Sequence, residues 1–269
     1  MSEPAPQQRR MIRLTLEYDG TAYAGWQRQA NATAVQQVLE EALERLLGHS
    51  VRVTASGRTD AGVHAACQVV SLPTTAPLPA DAIGRAVNTL LPPDIVVTSS
   101  CEAAEDFDAR RDARLRWYRF FLCNRAARPA IGERYLTHIW PRLDMDAMRA
   151  AADVLAGRHD FQAFRSSACT ATRTRLTLMP IEIAALPDDV IRIDYRCRSF
   201  LHNMVRILTG TLVAAGKGKL APDDVRHMLA TGERHVHAVT VPPNGLFLYR
   251  VYYEGEVPEK WGYAAASDR

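Results

Sequence analysis

An acid, a base and two glycines occur together in the segment 56–65, which reads SGRTDAGVHA. Gly57 and Gly62 permit backbone angles and close approaches that other residues resist, so this turn can hold the Asp60 carboxylate at a groove. Catalytic groups are often carried on such loops between rigid strands, and Arg58 provides a cationic neighbour. The same spacing is typical of an Asx-turn with a surface ion pair, which from spacing alone is the more common outcome.

A second segment interleaves arginines with aromatic residues: Arg110, Arg111, Arg114, Arg116 and Arg119 with Trp117, Tyr118, Phe120 and Phe121. Such a segment can supply both charge for phosphate groups and ring faces for stacking on bases. It is equally typical of a strand with one solvated basic face and one face in the core. The net charge of +3 is compatible with a polyanionic partner without requiring one.

The Asp60 loop lies between two predicted strands in the first half of the chain. Alternating apolar residues predict a strand from Ile12 to Tyr18, and an apolar stripe with helical spacing from Val35 to Leu47 predicts an amphipathic helix. Further strands near 51–55, 65–72 and 95–99, with a helix at about 80–91, complete the order β-α-β-β-α-β. This order is typical of a ferredoxin-like unit.

A comparable order recurs in the second half. We predict strands near 115–123, 135–139, 176–184, 190–197 and 246–253, and helices near 145–155, 201–215 and 223–231. The fold class is therefore α+β, with two ferredoxin-like (RRM-like) halves whose mainly antiparallel sheets lie side by side. The predicted domains are residues 1–107, carrying the Asp60 loop, and residues 108–269, carrying Tyr118 and a basic surface.

Composition excludes several classes of protein. The chain has 269 residues, of which 47% are hydrophobic, so a folded core is expected. It contains no apolar run that could cross a membrane, and Met1 to Arg10 has no signal core, which predicts a cytoplasmic protein. No C-x-x-C, H-E-x-x-H, phosphate-loop or dinucleotide motif is present, so we expect no metal and no cofactor.

Six segments together resemble the tRNA pseudouridine synthase A family. They occur in the family's order: EYDGTAYAGWQRQ at 17–29, GRTDAGVHA at 57–65, RWYRF at 116–120, GRHDFQAF at 157–164, FLHNMVR at 200–206 and NGLFL at 244–248. The resemblance implies an isomerase that converts uridine to pseudouridine at positions 38 to 40 of the tRNA anticodon stem-loop. It also implies a homodimer that binds tRNA in a central cleft with helices covering one face of the sheets.

The resemblance further implies the role of each site residue. Asp60 is the nucleophile, Arg58 enters the base stack or contacts the phosphate of the flipped nucleotide, and Tyr118 stacks on the uracil. Arg206 pairs with the nucleophilic carboxylate, and Leu246 forms an apolar wall under the base. Read without the family, Tyr118 is typical of a buried strand tyrosine, and Arg206 of a solvated arginine on an amphipathic helix.

Two other functions fit parts of the sequence. A non-catalytic RNA-binding protein or chaperone would use the arginine and aromatic segment alone, and only the intact Asp60 loop argues against it. A nucleoside hydrolase or ribosyl transferase would use Asp60 on a free small molecule. The last alternative requires no dependence on salt, whereas RNA binding weakens steeply as the salt concentration rises.

Overall fold

Two units make up the chain in the computed structural model, which describes residues 9–258 and Trp261. Unit 1 contains Met1–Arg114 and Leu248–Arg269, and unit 2 contains Leu115–Phe247. The sequence predicts a division between residues 107 and 108 and assigns the last strand to the second domain. The structure instead groups most of that strand with unit 1. The prediction that no signal core precedes Arg10 falls mostly on residues 1–8, which lie outside the described part.

Unit 1 contains four strands and two helices from its N-terminal stretch. In chain order these are β1 (Arg10–Tyr18), α1 (Val35–Leu47), β2 (Thr54–Ala55), β3 (His64–Thr74), α2 (Ala80–Val87) and β4 (Ile95–Ala103). β1 pairs antiparallel with both β3 and β4, and β2 pairs antiparallel with β3. The element order is the one that the sequence predicts, and the ferredoxin-like classification of this unit stays a prediction.

Apolar periodicity explains the first two elements. Ile12, Leu14, Leu16 and Tyr18 are all buried on one face of β1, while Glu17 is exposed. α1 buries Val35, Leu39, Ala42 and Leu43 of its apolar stripe and ends at Gly48, whose φ of 73° is the left-handed conformation that glycine adopts without strain. The sequence prediction of both elements is confirmed.

Unit 2 contains six strands and three helices before its last segment. They are β5 (Leu115–Cys123), β6 (Thr137–His138), α3 (Met145–Leu155), β7 (Gly157–Asp160), β8 (Arg175–Leu178), β9 (Glu182–Leu186), β10 (Val190–Cys197), α4 (Met204–Gly216) and α5 (Pro222–Thr231). β10 pairs antiparallel with β5, β8 and β9, and β7 pairs antiparallel with β8. β5 and β6 are parallel, so the strand pairing is mixed and the fold is α+β.

The sequence prediction for unit 2 needs three corrections. The sequence does not predict β7, because its four residues are too short to show a period. The strand predicted at 176–184 is two strands, since Pro180 has no N–H to donate to a sheet. The helix predicted as amphipathic from Leu201 begins at Met204, and all of its residues except Arg206 are buried.

The last strand, β11 (Leu246–Tyr252), lies next to β3, which explains why Leu248 and the residues after it belong to unit 1. The guanidinium carbon of Arg13 lies 4.5 Å from the ring centroid of Tyr253, and its Nη1 is 2.9 Å from Glu256. The Tyr253 hydroxyl donates to the carbonyl of Ala109 at 2.8 Å. A stacked cation and two hydrogen bonds thus tie the residues after β11 to unit 1.

None of the helices within residues 9–258 is long and apolar enough to cross a lipid bilayer.

A buried carboxylate joins α1 to the segment that leads into β2. Glu40 is fully buried, and its Oε1 accepts hydrogen bonds from the amide of Gln36 at 2.9 Å and from the backbone N–H of Val53 at 3.2 Å. Its Oε2 accepts from Arg52 at 2.9 Å. Glu40 therefore satisfies polar groups of both elements in a site without access to water.

Replacing Glu40 by alanine should lower the free energy of unfolding by about 2 kcal/mol, because the N–H of Val53 and the Gln36 amide lose a buried acceptor. Glu41→Ala removes a half-exposed carboxylate at the next position of α1 and should change this free energy by no more than about 0.5 kcal/mol. Urea denaturation measures both variants, and equal losses would contradict the role given to Glu40.

Candidate active site

The loop between β2 and β3 carries Arg58 and Asp60 in unit 1. Arg58 is exposed, Asp60 is half-buried, and Thr59 between them is buried. The carbonyl of Asp60 accepts a hydrogen bond from Val63 N at 3.1 Å, and the φ of Gly62 is 75°. The turn is therefore closed by its own backbone, and Gly62 has the left-handed conformation expected from the sequence.

Thr59 is the anchor of this loop. Its hydroxyl lies 2.8 Å from the hydroxyl of Tyr18, which is at the end of β1. Its carbonyl accepts a hydrogen bond from the backbone N–H of Trp26 at 3.0 Å. The residue before Asp60 is thus held through both its side chain and its backbone, which restricts where the Asp60 carboxylate can lie.

Two glycines in the segment after β1 allow the close approach of the Asp60 loop. A Cβ on Gly20 would lie 2.0 Å from the carbonyl oxygen of Val63. A Cβ on Gly25, whose φ is 95°, would lie 2.7 Å from the carbonyl oxygen of Thr59. Any larger residue at either position would push the loop away from β1.

The start of the loop is held from β3. The amide of Gln68 donates to the carbonyl of Gly57 at 2.7 Å, and its oxygen accepts from the hydroxyl of Ser56 at 2.6 Å. Both Gln68 and Ser56 are fully buried. Hydrogen bonds at 56–57, 59 and 62–63 therefore fix the loop on both sides of Asp60.

Unit 2 holds the other three predicted site residues. Tyr118 is on β5, opposite Tyr195 of β10, and it is 7% exposed. Its ring packs edge-to-face on the ring of Phe200, with the centroids 5.0 Å apart. Tyr118 is thus a largely buried strand tyrosine whose ring orientation is set by an aromatic neighbour.

Arg206 is the one residue of α4 that is not buried. Its Nε donates to the carbonyl of Val241 at 2.9 Å, and its Nη1 donates to Oδ1 of Asn203 at 3.0 Å. The sequence alone favours a solvated arginine on an amphipathic helix. The structure instead places a half-buried, hydrogen-bonded guanidinium on a helix that is otherwise in the core.

Leu246 is 3% exposed at the first position of β11. The residue before it, Gly245, accepts a hydrogen bond from Phe121 N at 2.8 Å, and a Cβ there would lie 2.2 Å from the carbonyl oxygen of Phe121. Leu246 N donates to the carbonyl of Pro243 at 2.8 Å. The residues next to Leu246 are therefore packed directly against β5, the strand of Tyr118.

The segment of arginines and aromatic residues is mostly engaged within the protein. Asp194 is fully buried, and its Oδ1 accepts from Arg119 Nε and from Trp117 Nε1, both at 2.7 Å. The guanidinium carbons of Arg119 and Arg196 lie 4.9 and 4.5 Å from the Trp117 ring centroid. The two guanidinium groups and the Trp117 ring therefore contact one another within the protein.

Arg196 also has a carboxylate partner. Its two terminal nitrogens donate to the two oxygens of Glu182 at 2.8 and 3.0 Å. These hydrogen bonds lower the pKa of the Glu182 carboxyl below its ordinary value. The pair therefore remains charged well below neutral pH.

Among the described residues, no group of three or more His, Cys, Asp or Glu side chains is arranged to hold a metal ion.

Comparisons with known proteins identify the family. The family model described as tRNA pseudouridine synthase matches residues 15–111 and 151–254. The chain belongs to this family. A protein of Pelobacter propionicus called tRNA pseudouridine synthase A is 47% identical over 91% of this chain and all of its own length. A protein of Myxococcus xanthus with the same name is 43% identical over 93% of this chain and 94% of its own length.

The resemblance seen in the sequence is therefore confirmed, and it holds for more distant relatives. A tRNA pseudouridine synthase A of a Thermoanaerobacter species is 38% identical over 91% of this chain. The matched ranges include Arg58 and Asp60 in unit 1 and Arg206 and Leu246 in unit 2, whereas Tyr118 falls between them.

Sequence reasoning missed the residues that hold the site residues in place. In unit 1 these are Tyr18, Gly25 and Gln68, and in unit 2 they are Asn203 and the carbonyl of Val241. Gly25 lies within a segment that resembles the family, but its contact with Thr59 is not visible from spacing. Asn203 gave one usable signal, since an asparagine directly before an apolar helix is typical of an N-cap residue.

Replacing Gly25 by alanine should destabilise unit 1 more than the same change at Gly48. Both glycines have positive φ, but a Cβ on Gly48 meets nothing within 4 Å, whereas one on Gly25 clashes with Thr59. We expect Gly48→Ala to lower the free energy of unfolding by about 1 kcal/mol and Gly25→Ala by at least about 2 kcal/mol more. Parallel urea titrations give the difference, and similar losses would show that the loop tolerates displacement.

Proposed function

We propose that this protein converts uridine to pseudouridine at positions 38 to 40 of the tRNA anticodon stem-loop, with Asp60 as the nucleophile. The observation that supports this most strongly is the intact Asp60 loop in a chain of the tRNA pseudouridine synthase family. The relatives from Pelobacter propionicus and Myxococcus xanthus are both called tRNA pseudouridine synthase A. We further propose that the protein acts in the cytoplasm.

The proposed reaction needs a carboxylate and little else. The bond between N1 of the uracil and C1′ of the ribose breaks, the base turns, and a bond from C5 to C1′ replaces it. The proton lost from C5 is balanced by one gained at N1, so no outside group is consumed. Asp60 can serve by adding to C6 of the base, or by acting at the ribose through attack at C1′ or removal of the C2′ proton.

The target base must leave its stack to reach the carboxylate, at a cost of a few kcal/mol. We assign Arg58, which is exposed beside Asp60, to the base stack or to the phosphate of the flipped nucleotide. Tyr118 is assigned to stacking on the uracil, an interaction worth about 1 to 3 kcal/mol. Leu246 forms an apolar wall under the base.

Arg206 is assigned to stabilising the charged Asp60 carboxylate. A guanidinium that is partly shielded from water is well suited to this, because it stays protonated and gives directed hydrogen bonds. The assignment also explains why a cation would be kept on a helix whose other residues are all buried.

Asp60→Asn should abolish pseudouridine formation and leave tRNA affinity within about twofold of the unchanged protein, because an amide keeps the size of the side chain without its charge. The measurement is pseudouridine mapping at positions 38 to 40 of tRNA, with filter binding for affinity. Asp153→Asn, which changes an exposed carboxylate on α3, serves as the control and should be fully active.

Three results would contradict this proposal. Full activity of Asp60→Asn would exclude Asp60 as the nucleophile. If the unchanged protein binds tRNA without modifying it, it is an RNA-binding protein, and if it cleaves free uridine at a rate independent of salt, it is a nucleoside hydrolase.

We also propose that the protein is a homodimer, so that two copies share the binding of one L-shaped RNA. Sedimentation at micromolar concentration should then give twice the chain mass of 29.9 kDa. An active species that sediments as a single chain would exclude the dimer.

A further inference from the structure

The guanidinium of Arg206 donates to acceptors in two different parts of unit 2. The carbonyl of Val241 accepts from Nε at 2.9 Å, and Oδ1 of Asn203 accepts from Nη1 at 3.0 Å. Bonds to two different nitrogens fix both the position and the plane of a guanidinium, which a single bond would leave free to rotate. Arg206 is therefore presented in one orientation from the first turn of α4.

Asn203 is specialised for this contact. It occupies the N-cap position of α4, where an asparagine side chain usually accepts a hydrogen bond from a backbone N–H of the helix. Here its side chain makes no capping hydrogen bond, and its backbone is left-handed, with φ of 62°. The side-chain oxygen accepts from Arg206 instead.

The other acceptor, the Val241 carbonyl, belongs to the segment 234–241, which lies against α4. Val241 N donates to the carbonyl of Arg206 at 3.4 Å, so the two residues are joined through backbone as well as side chain. A Cβ on Gly210, one turn further along α4, would lie 1.8 Å from the carbonyl oxygen of Val239. This close approach is possible only because residue 210 is glycine.

The N-terminal end of the segment 234–241 is held by contacts of its own. Nε of Arg234 donates to the carbonyl of Ala163 at 2.8 Å, and its Nη2 donates to the carbonyl of Arg165. Burial lowers the pKa of the Arg234 guanidinium from its ordinary value. The contacts of Arg234, and the close approach of Val239 to Gly210, therefore hold on α4 and near Ala163 the segment that carries the Val241 carbonyl.

We propose that Asn203 is a positioning residue that, together with the Val241 carbonyl, sets the orientation of Arg206 for the isomerisation. This inference rests on the proposed function, in which Arg206 stabilises the reacting carboxylate. Asn203 touches neither substrate nor reacting atoms in this role. Its loss should therefore affect the rate of the chemical step and not the affinity for tRNA.

The test compares Asn203→Gly with Asp188→Gly. Both residues are polar and left-handed, with φ of 62°, so glycine keeps the backbone conformation in each case and removes only a side chain. Asn203→Gly should lower the single-turnover rate of pseudouridine formation about tenfold, as expected for one lost hydrogen bond to a charged group, with tRNA affinity unchanged. Asp188→Gly should change neither quantity.

A second measurement does not depend on activity. The Nη1–H resonance of Arg206, assigned through its absence in Arg206→Lys, should be resolved in the unchanged protein and broadened by bond rotation and solvent exchange in Asn203→Gly, because Nη1 is the nitrogen that donates to Asn203. Asn203→Asp provides another acceptor for Nη1, so the resonance should sharpen again.

The outcomes separate the two proposals. A rate and a resonance in Asn203→Gly that match those of Asp188→Gly would overturn the positioning role while leaving the proposed function intact. The resonance could also broaden in Asn203→Gly while the unchanged protein forms no pseudouridine. That outcome would support the contact between Asn203 and Arg206 and would show that the proposed function is wrong.

Discussion

The close approach of two backbone segments in unit 1 is the constraint on which the candidate nucleophile depends. Gly20 and Gly25 bring the segment after β1 against the carbonyls of Val63 and Thr59, at distances that no Cβ would allow. The buried hydroxyls of Tyr18 and Thr59 then form a hydrogen bond within this contact. These neighbours, as well as the interactions of Asp60 itself, therefore set the position of Asp60.

Such an arrangement suits a carboxylate that must act on a large substrate. A loop with few backbone hydrogen bonds would require ordering each time a substrate binds, at a cost in conformational entropy. Here hydrogen bonds on both sides of Asp60 are already made, through Gln68 at one end and Val63 at the other. Preorganisation of this kind is what allows a single charged group to act efficiently.

Arginines in unit 2 show how differently one residue type can be used. Arg119 and Arg196 are largely buried, and each is neutralised by a carboxylate that lies nearby on the sheet, Asp194 or Glu182. Arg206 is also partly buried, and it donates to the carbonyl of Val241 and to Oδ1 of Asn203. Hydrogen bonds from two nitrogens orient a guanidinium, which suits the role proposed for Arg206 beside a reacting carboxylate.

The amino-acid sequence alone was enough to specify the elements with strong periodicity and the identity of the family. β1, α1 and α3 form where apolar spacing predicts them, because each has to bury one regular face. The segment 57–65 identifies Asp60 as the candidate nucleophile through its resemblance to the family. Residue types and their spacing over a short stretch of chain are enough to predict these elements and to identify the family.

Long-range packing determined which residues support the site and which charges are engaged internally. The pairing of Arg119 with Asp194 joins positions 75 residues apart, and the contact of Arg206 with Val241 spans 35 residues. The burial of α4 on nearly all sides and the return of β11 to unit 1 likewise depend on partners distant in the chain. Sequence spacing predicts contacts between residues that are near one another in the chain. The contacts named here form only in the tertiary structure, which brings together residues that no local pattern connects.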